Sequence, residues 1–274
     1  MTATDHLLRD LAPIPAKAWE EIQSEARDRL TAQLAARRLT DWSGPHGWQE
    51  DRLAVGRIAG IAGPPGGPAD AVQTAQRRVL AYTEIRVPFT VNRREIDDIQ
   101  RGATDAELDD LDRAAHAAAI TENRAVFHGW PAAGITGLVD ASGYPRVTLG
   151  DDCQTYPTVV AQAVDRMRTR GIGGPYALAI SPARYTRIVE TTEHGGYLLV
   201  DHLTRVLGGD VIWSPGLDGA LLLSQRGGDF VLAVGQDWSV GYTAHDAEYV
   251  QLYLEETLTF RAVEPDAVVV LAEA

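Results

Sequence analysis

Arg52-Leu53-Ala54-Val55-Gly56-Arg57-Ile58-Ala59-Gly60-Ile61-Ala62, then Gly63-Pro64-Pro65-Gly66-Gly67-Pro68, then a second extended stretch from Val72 towards Thr90, is the part of the chain on which its fold turns. Glycine and proline at the density of 63–68 forbid a helix and favour a loop. Residues 51–62 and 72–90 therefore read as two extended arms around that tip. Before Val79 the arms carry too few large apolar residues to make a core of their own. A long hairpin that cannot bury itself is either floppy or docked on something else, and this segment is the first hint of assembly.

On the N-terminal side, Trp19, Ile22, Ala26, Leu30 and Leu34 recur at spacings of three and four, which predicts a helix from Pro15 to about Arg38 with one apolar face. Pro15 suits its first position, where a missing N–H costs nothing. Trp42-Ser43-Gly44-Pro45-His46-Gly47-Trp48 reads as a turn-rich connection. On the C-terminal side, Asn92 and Glu95 have capping-box spacing ahead of a short helix. Thr104 and Glu107 repeat it ahead of a longer one ending near His128-Gly129. From about residue 132 the elements shorten: a helix over Pro157–Arg170 closed by Gly171, a buried strand Tyr176–Ile180, a helix capped by Ser181-Pro182, and strands at 211–213, 220–223 and 230–234. The longest strand comes late. Val250, Leu252, Leu254, Leu258, Phe260 and Ala262 alternate with polar residues and only Glu256 interrupts the apolar side, so a half-buried antiparallel strand is expected. A last strand, Ala267–Leu271, closes the chain.

Composition removes whole classes of function. Of 274 residues, 45% are hydrophobic, enough for a proper core. The single cysteine, Cys153, excludes an internal disulfide and a thiolate metal cluster. Lys17 is the only lysine, and no phosphate-binding loop ending in Gly-Lys-Ser/Thr exists. A net charge of −13 opposes nonspecific nucleic-acid binding, which runs on neutralising phosphates. No stretch has the apolar length of a membrane span and the first residues lack a signal region, so a cytoplasmic chain without membrane contact is expected. The seven histidines form no ligand set, and His245-Asp246 reads as a loop pair. Ser239 lacks the glycine two positions earlier that a nucleophile elbow needs. Asp97-Asp98, Asp109-Asp110-Asp112, Asp151-Asp152 and Glu255-Glu256 read as solvated surface, because adjacent acids point in different directions. No catalytic residue and no metal site is expected.

Short motifs in a constant order resemble one family over nearly the whole chain: the encapsulins, linocin-type shell proteins of family 1 with the HK97 phage-capsid-like α+β fold. The motifs are Leu11-Ala12-Pro13-Ile14 with Trp19 and Ile22, Gly44-Pro45-His46-Gly47-Trp48, Glu84-Ile85-Arg86-Val87-Pro88-Phe89-Thr90-Val91, Ile96 to Gly102, Gly173-Gly174-Pro175-Tyr176, Arg226-Gly227-Gly228-Asp229 and Gly235 to Tyr242. The resemblance implies a division into 1–50 (N-terminal helix and start of a peripheral domain), 51–82 (extended loop, or E-loop), 83–132 (peripheral helices), 133–224 (axial domain) and 225–274 (peripheral strands). It implies a non-enzymatic chain that closes with its own copies into an icosahedral nanocompartment. The enclosed cargo would be a dye-decolourising peroxidase or a ferritin-like protein, held by a C-terminal targeting peptide. In the resembling family that peptide lies between the N-terminal helix and the peripheral strands, which here assigns Leu30, Leu34, Arg37, Asp41, Trp238 and Val240 to peptide docking. Thr191, Glu193, His194, Gly195, Gly196 and Tyr197 match a loop around a fivefold pore. Some relatives stack a flavin on a tryptophan; Arg94 stands at that position here, so no cofactor is implied in the shell, while haem or iron would travel with the cargo. Two other roles are compatible with parts of the pattern: a prophage major capsid protein packaging DNA, and a bacteriocin- or protease-type hydrolase, a description this family has at times carried.

Overall fold

The computed structural model describes residues 6–63, 65, 72–193 and 196–273. In chain order the elements are α1 (Ala16–Gln33), β1 (Asp41–Ser43), β2 (Arg52–Gly60), β3 (Ala75–Ala81), β4 (Thr83–Asn92), α2 (Arg93–Arg101), α3 (Asp109–Phe127), α4 (Leu138–Ala141), β5 (Val147–Leu149), α5 (Tyr156–Thr169), β6 (Tyr176–Ile180), α6 (Pro182–Glu190), α7 (Leu199–Leu207), β7 (Val211–Trp213), β8 (Ala220–Ser224), β9 (Phe230–Val234), β10 (Ser239–His245), β11 (Tyr249–Ala262) and β12 (Val268–Glu273). They build two five-stranded sheets and a separate two-stranded hairpin. In the first sheet β11 pairs antiparallel with β4, β10 and β9, and β1 joins β9 in parallel. Helices α1, α2 and α3 cover it around Ile22, Ile96, Ile99, Leu111, Phe89 and Leu252. The second sheet has the order β5-β12-β8-β6-β7 and packs with α5 and α7. The closing strand β12, expected among the peripheral strands of 225–274, belongs to this second sheet, where it pairs with β8 and β5.

Local signals explain most element ends. Gly171, at φ 80°, lets the chain fold back so that the Ile172 N–H reaches the Met167 carbonyl and closes α5. Asn92 caps α2 by accepting the Arg94 N–H at 2.9 Å. Glu95 does not complete that box; its Oε2 accepts the Glu107 N–H at 3.0 Å and ties α2 to the start of α3. Consequently α3 starts at Asp109 behind Leu108, without a side-chain cap, and the expected cap at Thr104 is not used.

Helix α1 stops at Gln33, short of the expected Arg38, and the cause is a residue far away in sequence. Asn123 of α3 donates to the Gln33 carbonyl at 2.8 Å and accepts the Ala36 N–H at 3.0 Å. Those backbone groups find partners outside the helix, and a 3₁₀ turn, Ala36–Arg38, follows. The second hairpin arm also divides: Ala75–Ala81 pairs with β2, whereas residues 83–92 enter the large sheet. Gly63 and Pro65 of the tip are described; Pro64, Gly66, Gly67 and Pro68 lie outside the described residues.

The largest departure is β11. An alternating strand was expected to be half-buried, but Glu255, Glu256, Thr257 and Thr259 are buried together with Leu254 and Leu258. Over Val250–Glu255 the strand has β4 on one edge and β10 on the other. Its second face is closed by the chain before α1 and by the loop after β9: His6 reaches Glu255 at 3.0 Å, and the Gln236 N–H bonds the Thr257 hydroxyl at 2.7 Å.

Candidate docking cleft and the carboxylates beneath it

Where α1 meets β10 and the loop before it, a cleft of about 410 Å³ opens, lined by Ala26, Arg27, Leu30, Leu34, Arg37, Asp237, Trp238 and Val240 among others. Helical spacing carries Ala26, Leu30 and Leu34 onto one face of α1 and its end. Leu30 and Leu34 are almost wholly buried and form its floor; Trp238, partly buried, forms the accessible apolar wall. Arg9 crosses one end, with its Nε donating to the Val240 carbonyl at 2.8 Å and its guanidinium over the Trp19 ring. Five of the six residues assigned to docking thus line one cavity. The sixth, Asp41, lies elsewhere: its carboxylate accepts the Gly228 N–H at 2.7 Å and steadies the Arg226–Asp229 turn.

Arg37 is committed from within. It holds Glu122 in a two-pronged fork, Nε to Oε1 at 3.0 Å and Nη2 to Oε2 at 2.8 Å, while Nη1 reaches Asp237 at 2.8 Å and Nη2 reaches Glu256 at 2.5 Å. The Trp238 indole N–H donates to Glu122 Oε2 at 3.0 Å, which locks the cleft wall to the same carboxylate. Glu122 and Glu256 are both at 0% exposure. Burial would lower the Arg37 pKa, but Glu122, Glu256 and Asp237 carry it well above the ordinary guanidinium value. Burial, reinforced by the charge of Glu122, pushes Glu256 well above the carboxylate range, and Arg37 opposes only part of that rise. Glu256 Oε2 has no hydrogen-bond partner among the described residues. Burial and the neighbouring carboxylate thus favour the protonated form of Glu256 beneath the cleft.

On the opposite face of β11, Glu255 accepts from His6 Nε2 at 3.0 Å and from Arg86 Nε at 2.6 Å, and His6 stacks on Trp48 at 4.4 Å. Both members of the pair Glu255-Glu256, read from sequence as solvated surface, are instead buried anchors on opposite faces of one strand. Glu122 was not singled out in the sequence at all; its position in an otherwise alanine-rich helical face was the available signal.

Of the pore-loop residues, Thr191, Glu193, Gly196 and Tyr197 are described; His194 and Gly195 lie outside the described residues. The Glu193 N–H bonds the Tyr197 carbonyl at 2.9 Å, the Gly196 N–H bonds the Glu193 carbonyl at 3.0 Å, and Tyr197 projects into solvent. Glu193 also accepts from His202 of α7 at 2.9 Å, a contact absent from the sequence analysis. His245 meets the Tyr242 hydroxyl at 2.6 Å while Asp246 caps the turn into β11 through the Glu248 and Tyr249 N–H groups. Cys153 is buried. Among the described residues no cluster of three metal-ligating side chains occurs, and no helix is long and apolar enough to cross a membrane.

Two five-stranded sheets, a long hairpin whose strands pair only with each other and a helix laid on the first sheet define a capsid-type subunit. The chain superimposes with a TM-score of 0.64 on the virus-like particle from Pyrococcus furiosus, at 18% identity, covering 92% of this chain and 98% of that one. A structure from Microbacterium phage Oxtober96 gives 0.60 at 12% identity, covering 88% and 91%. The fold is that of HK97-like phage capsids. In sequence, residues 4–259 match the family model described as an encapsulating protein for peroxidase. A type 1 encapsulin shell protein of Rhodospirillum rubrum is 49% identical over 97% of this chain and 95% of its own length. One from Brevibacterium linens is 44% identical over 98% and 99%. The chain belongs to the encapsulin family of shell proteins, whose role is structural rather than catalytic.

Proposed function

We propose that this chain closes with its own copies into an icosahedral nanocompartment in the cytoplasm. Its inner wall retains a cargo enzyme by seating that enzyme's C-terminal targeting peptide in the cleft between α1 and β10. One observation carries the docking role: Leu30, Leu34, Arg37, Trp238 and Val240, drawn from two ends of the sequence, line a single cavity. Its apolar floor and indole wall suit an extended peptide with alternating apolar side chains. Because Arg37 is held by three carboxylates, it acts as a fixed strut of the site, and the apolar contacts supply the attraction. Many such clefts on one wall make loading of an oligomeric cargo avid. The cargo is of the peroxidase or ferritin-like class, so haem or iron arrives with it. Arg94, an exposed residue in the first turn of α2, offers no aromatic ring on which a flavin would stack at that position. The loop from Thr191 to Tyr197 lines the fivefold opening.

The test is co-expression with a peroxidase or ferritin-like protein, with and without its C-terminal tail, followed by light scattering and negative-stain imaging. Closed particles of uniform size that retain only the tailed cargo are expected. Trp238→Ala should still close but lose the cargo. A stable monomer or dimer across salt and pH refutes the shell; equal retention of tailless cargo refutes the cleft.

A further inference from the structure

The accessible wall of the docking cleft is held by acids from two separate elements. Trp238 is gripped twice: its backbone N–H donates to Asp237 Oδ1 at 2.8 Å, and its indole N–H donates to Glu122 Oε2 at 3.0 Å. That Glu122 oxygen also accepts from Arg37 Nη2 at 2.8 Å and from Arg37 Nε at 3.1 Å, so three donors converge on it. The position of the indole is therefore set by where Glu122 stands.

Glu256 competes for the same cation. Its Oε1 accepts from Arg37 Nη2 at 2.5 Å, while its buried Oε2 has no hydrogen-bond partner among the described residues. One guanidinium thus serves three carboxylates, two of them wholly enclosed. The charges facing Glu256 are Glu122 from α3, Arg37 from the turn after α1 and Asp237 from the loop before β10. On β4 its register partner is Ile85, and Glu255 with Arg86 and His6 occupies the other face of β11.

With a proton on Glu256, Arg37 is left to Glu122, and Glu122 stays fixed as the anchor of the indole. Loss of that proton puts two anions on one nitrogen in a site that excludes water, where like charges repel most strongly. Arg37 is then drawn towards Glu256, and the grip of Glu122 on the ring slackens. Burial and Glu122 hold Glu256 well above the ordinary carboxylate range, so the change comes at higher pH than for a free carboxyl.

We propose that Glu122, acting through Trp238, positions the docking wall, and that Glu256 beside it makes tail capture proton-linked: the cleft holds the targeting peptide more tightly with Glu256 protonated and loosens as pH rises. This rests on the docking role proposed above and adds its regulation. By linkage, a docked tail in turn raises the proton affinity of Glu256.

The probe is a tryptophan-free carrier bearing the C-terminal tail of the peroxidase or ferritin-like protein, loaded by co-expression. Trp238 emission, taken as the difference between the unaltered chain and Trp238→Phe, is titrated from pH 5 to pH 9 in empty and in tail-loaded particles. Light scattering verifies that the particles stay closed. In empty particles the emission should titrate, and Glu256→Gln should fix it at its acid value. Glu122→Gln, which removes the neighbouring charge, should move the midpoint to lower pH, and it decides alone if Glu256→Gln forms no particles. A docked tail should raise the unaltered midpoint by about half a pH unit or more, a coupling of about threefold. A purely structural Glu256 would leave the titration in place when changed to glutamine. An emission that does not titrate, a titration that survives Glu256→Gln, a midpoint unmoved by Glu122→Gln or a midpoint unmoved by the tail overturns the proton linkage and leaves docking standing. A tailed carrier retained no better than a tailless one overturns the docking role itself, and is seen before any titration.

Discussion

Arg37→Ala isolates the electrostatics beneath the docking cleft. The substitution leaves Glu122 and Glu256, both fully buried, facing each other without the cation that bridges them. Removing one partner of a buried ion pair costs about 3–5 kcal/mol, because the remaining charge is stranded in a medium that cannot solvate it. For a chain of this size each kcal/mol moves Tm by about 2–4 °C, so a fall on the order of 10 °C is expected. The pH dependence identifies the cause. Glu256 has its folded-state pKa raised by burial and by Glu122, so the folded chain keeps that proton to higher pH than the unfolded chain does. The linked stabilisation is complete below the unfolded carboxyl range and is lost as pH rises through the folded value. Without Arg37 that folded value climbs further, so the Tm deficit should be small in mild acid and grow towards neutral and alkaline pH. Glu256→Gln placed on Arg37→Ala removes the stranded charge and should recover part of the loss while flattening the pH profile. Thermal unfolding followed by far-UV circular dichroism between pH 5 and pH 8 measures all three quantities. A deficit independent of pH, or one that deepens in acid, would refute the assignment of the proton to Glu256.

Two further substitutions probe the frame that holds the cleft. Asn123→Ala removes three hydrogen bonds, a part-buried one to Gln33 and buried ones to Ala36 and Pro215, and should destabilise by about 2–4 kcal/mol in chemical denaturation, with slower-exchanging amides at residues 33–36 becoming labile. Gly241→Ala would put its Cβ 2.2 Å from the Tyr253 ring, so β10 must shift from β11; a loss of about 1–3 kcal/mol is expected, and Tyr253→Ala in the same chain should relieve the clash. A Gly241→Ala protein as stable as the parent would show that the ring turns aside at no cost.

Much of this protein is readable without coordinates because its signals are local. The C-cap at Gly171, the Asn92 cap, the strands 211–213 and 230–234 and the run of the hairpin depend on residues within a few positions of one another. The docking residues were a different matter. The α1 spacing places Leu30 and Leu34 on one face, but nothing in it distinguishes a cleft floor from an ordinary core, and only the family resemblance joined them to Trp238 and Val240. That resemblance also brought in Asp41, whose carboxylate serves a turn instead.

What the sequence by itself determined was the class of the molecule: an acidic, one-cysteine chain with no catalytic constellation, a hairpin unable to bury itself, and ordered motifs shared with shell proteins. What only the tertiary structure decided was the fate of its charges. Alternation along β11 says which residues share a face, but not whether that face is wet. Here strands on both edges and loops across the second face bury Glu255 and Glu256 alike. The same holds for Asn123, which ends α1 from a helix some ninety residues away. Desolvation and pairing are properties of neighbours brought together by folding, and a one-dimensional pattern carries no record of those neighbours.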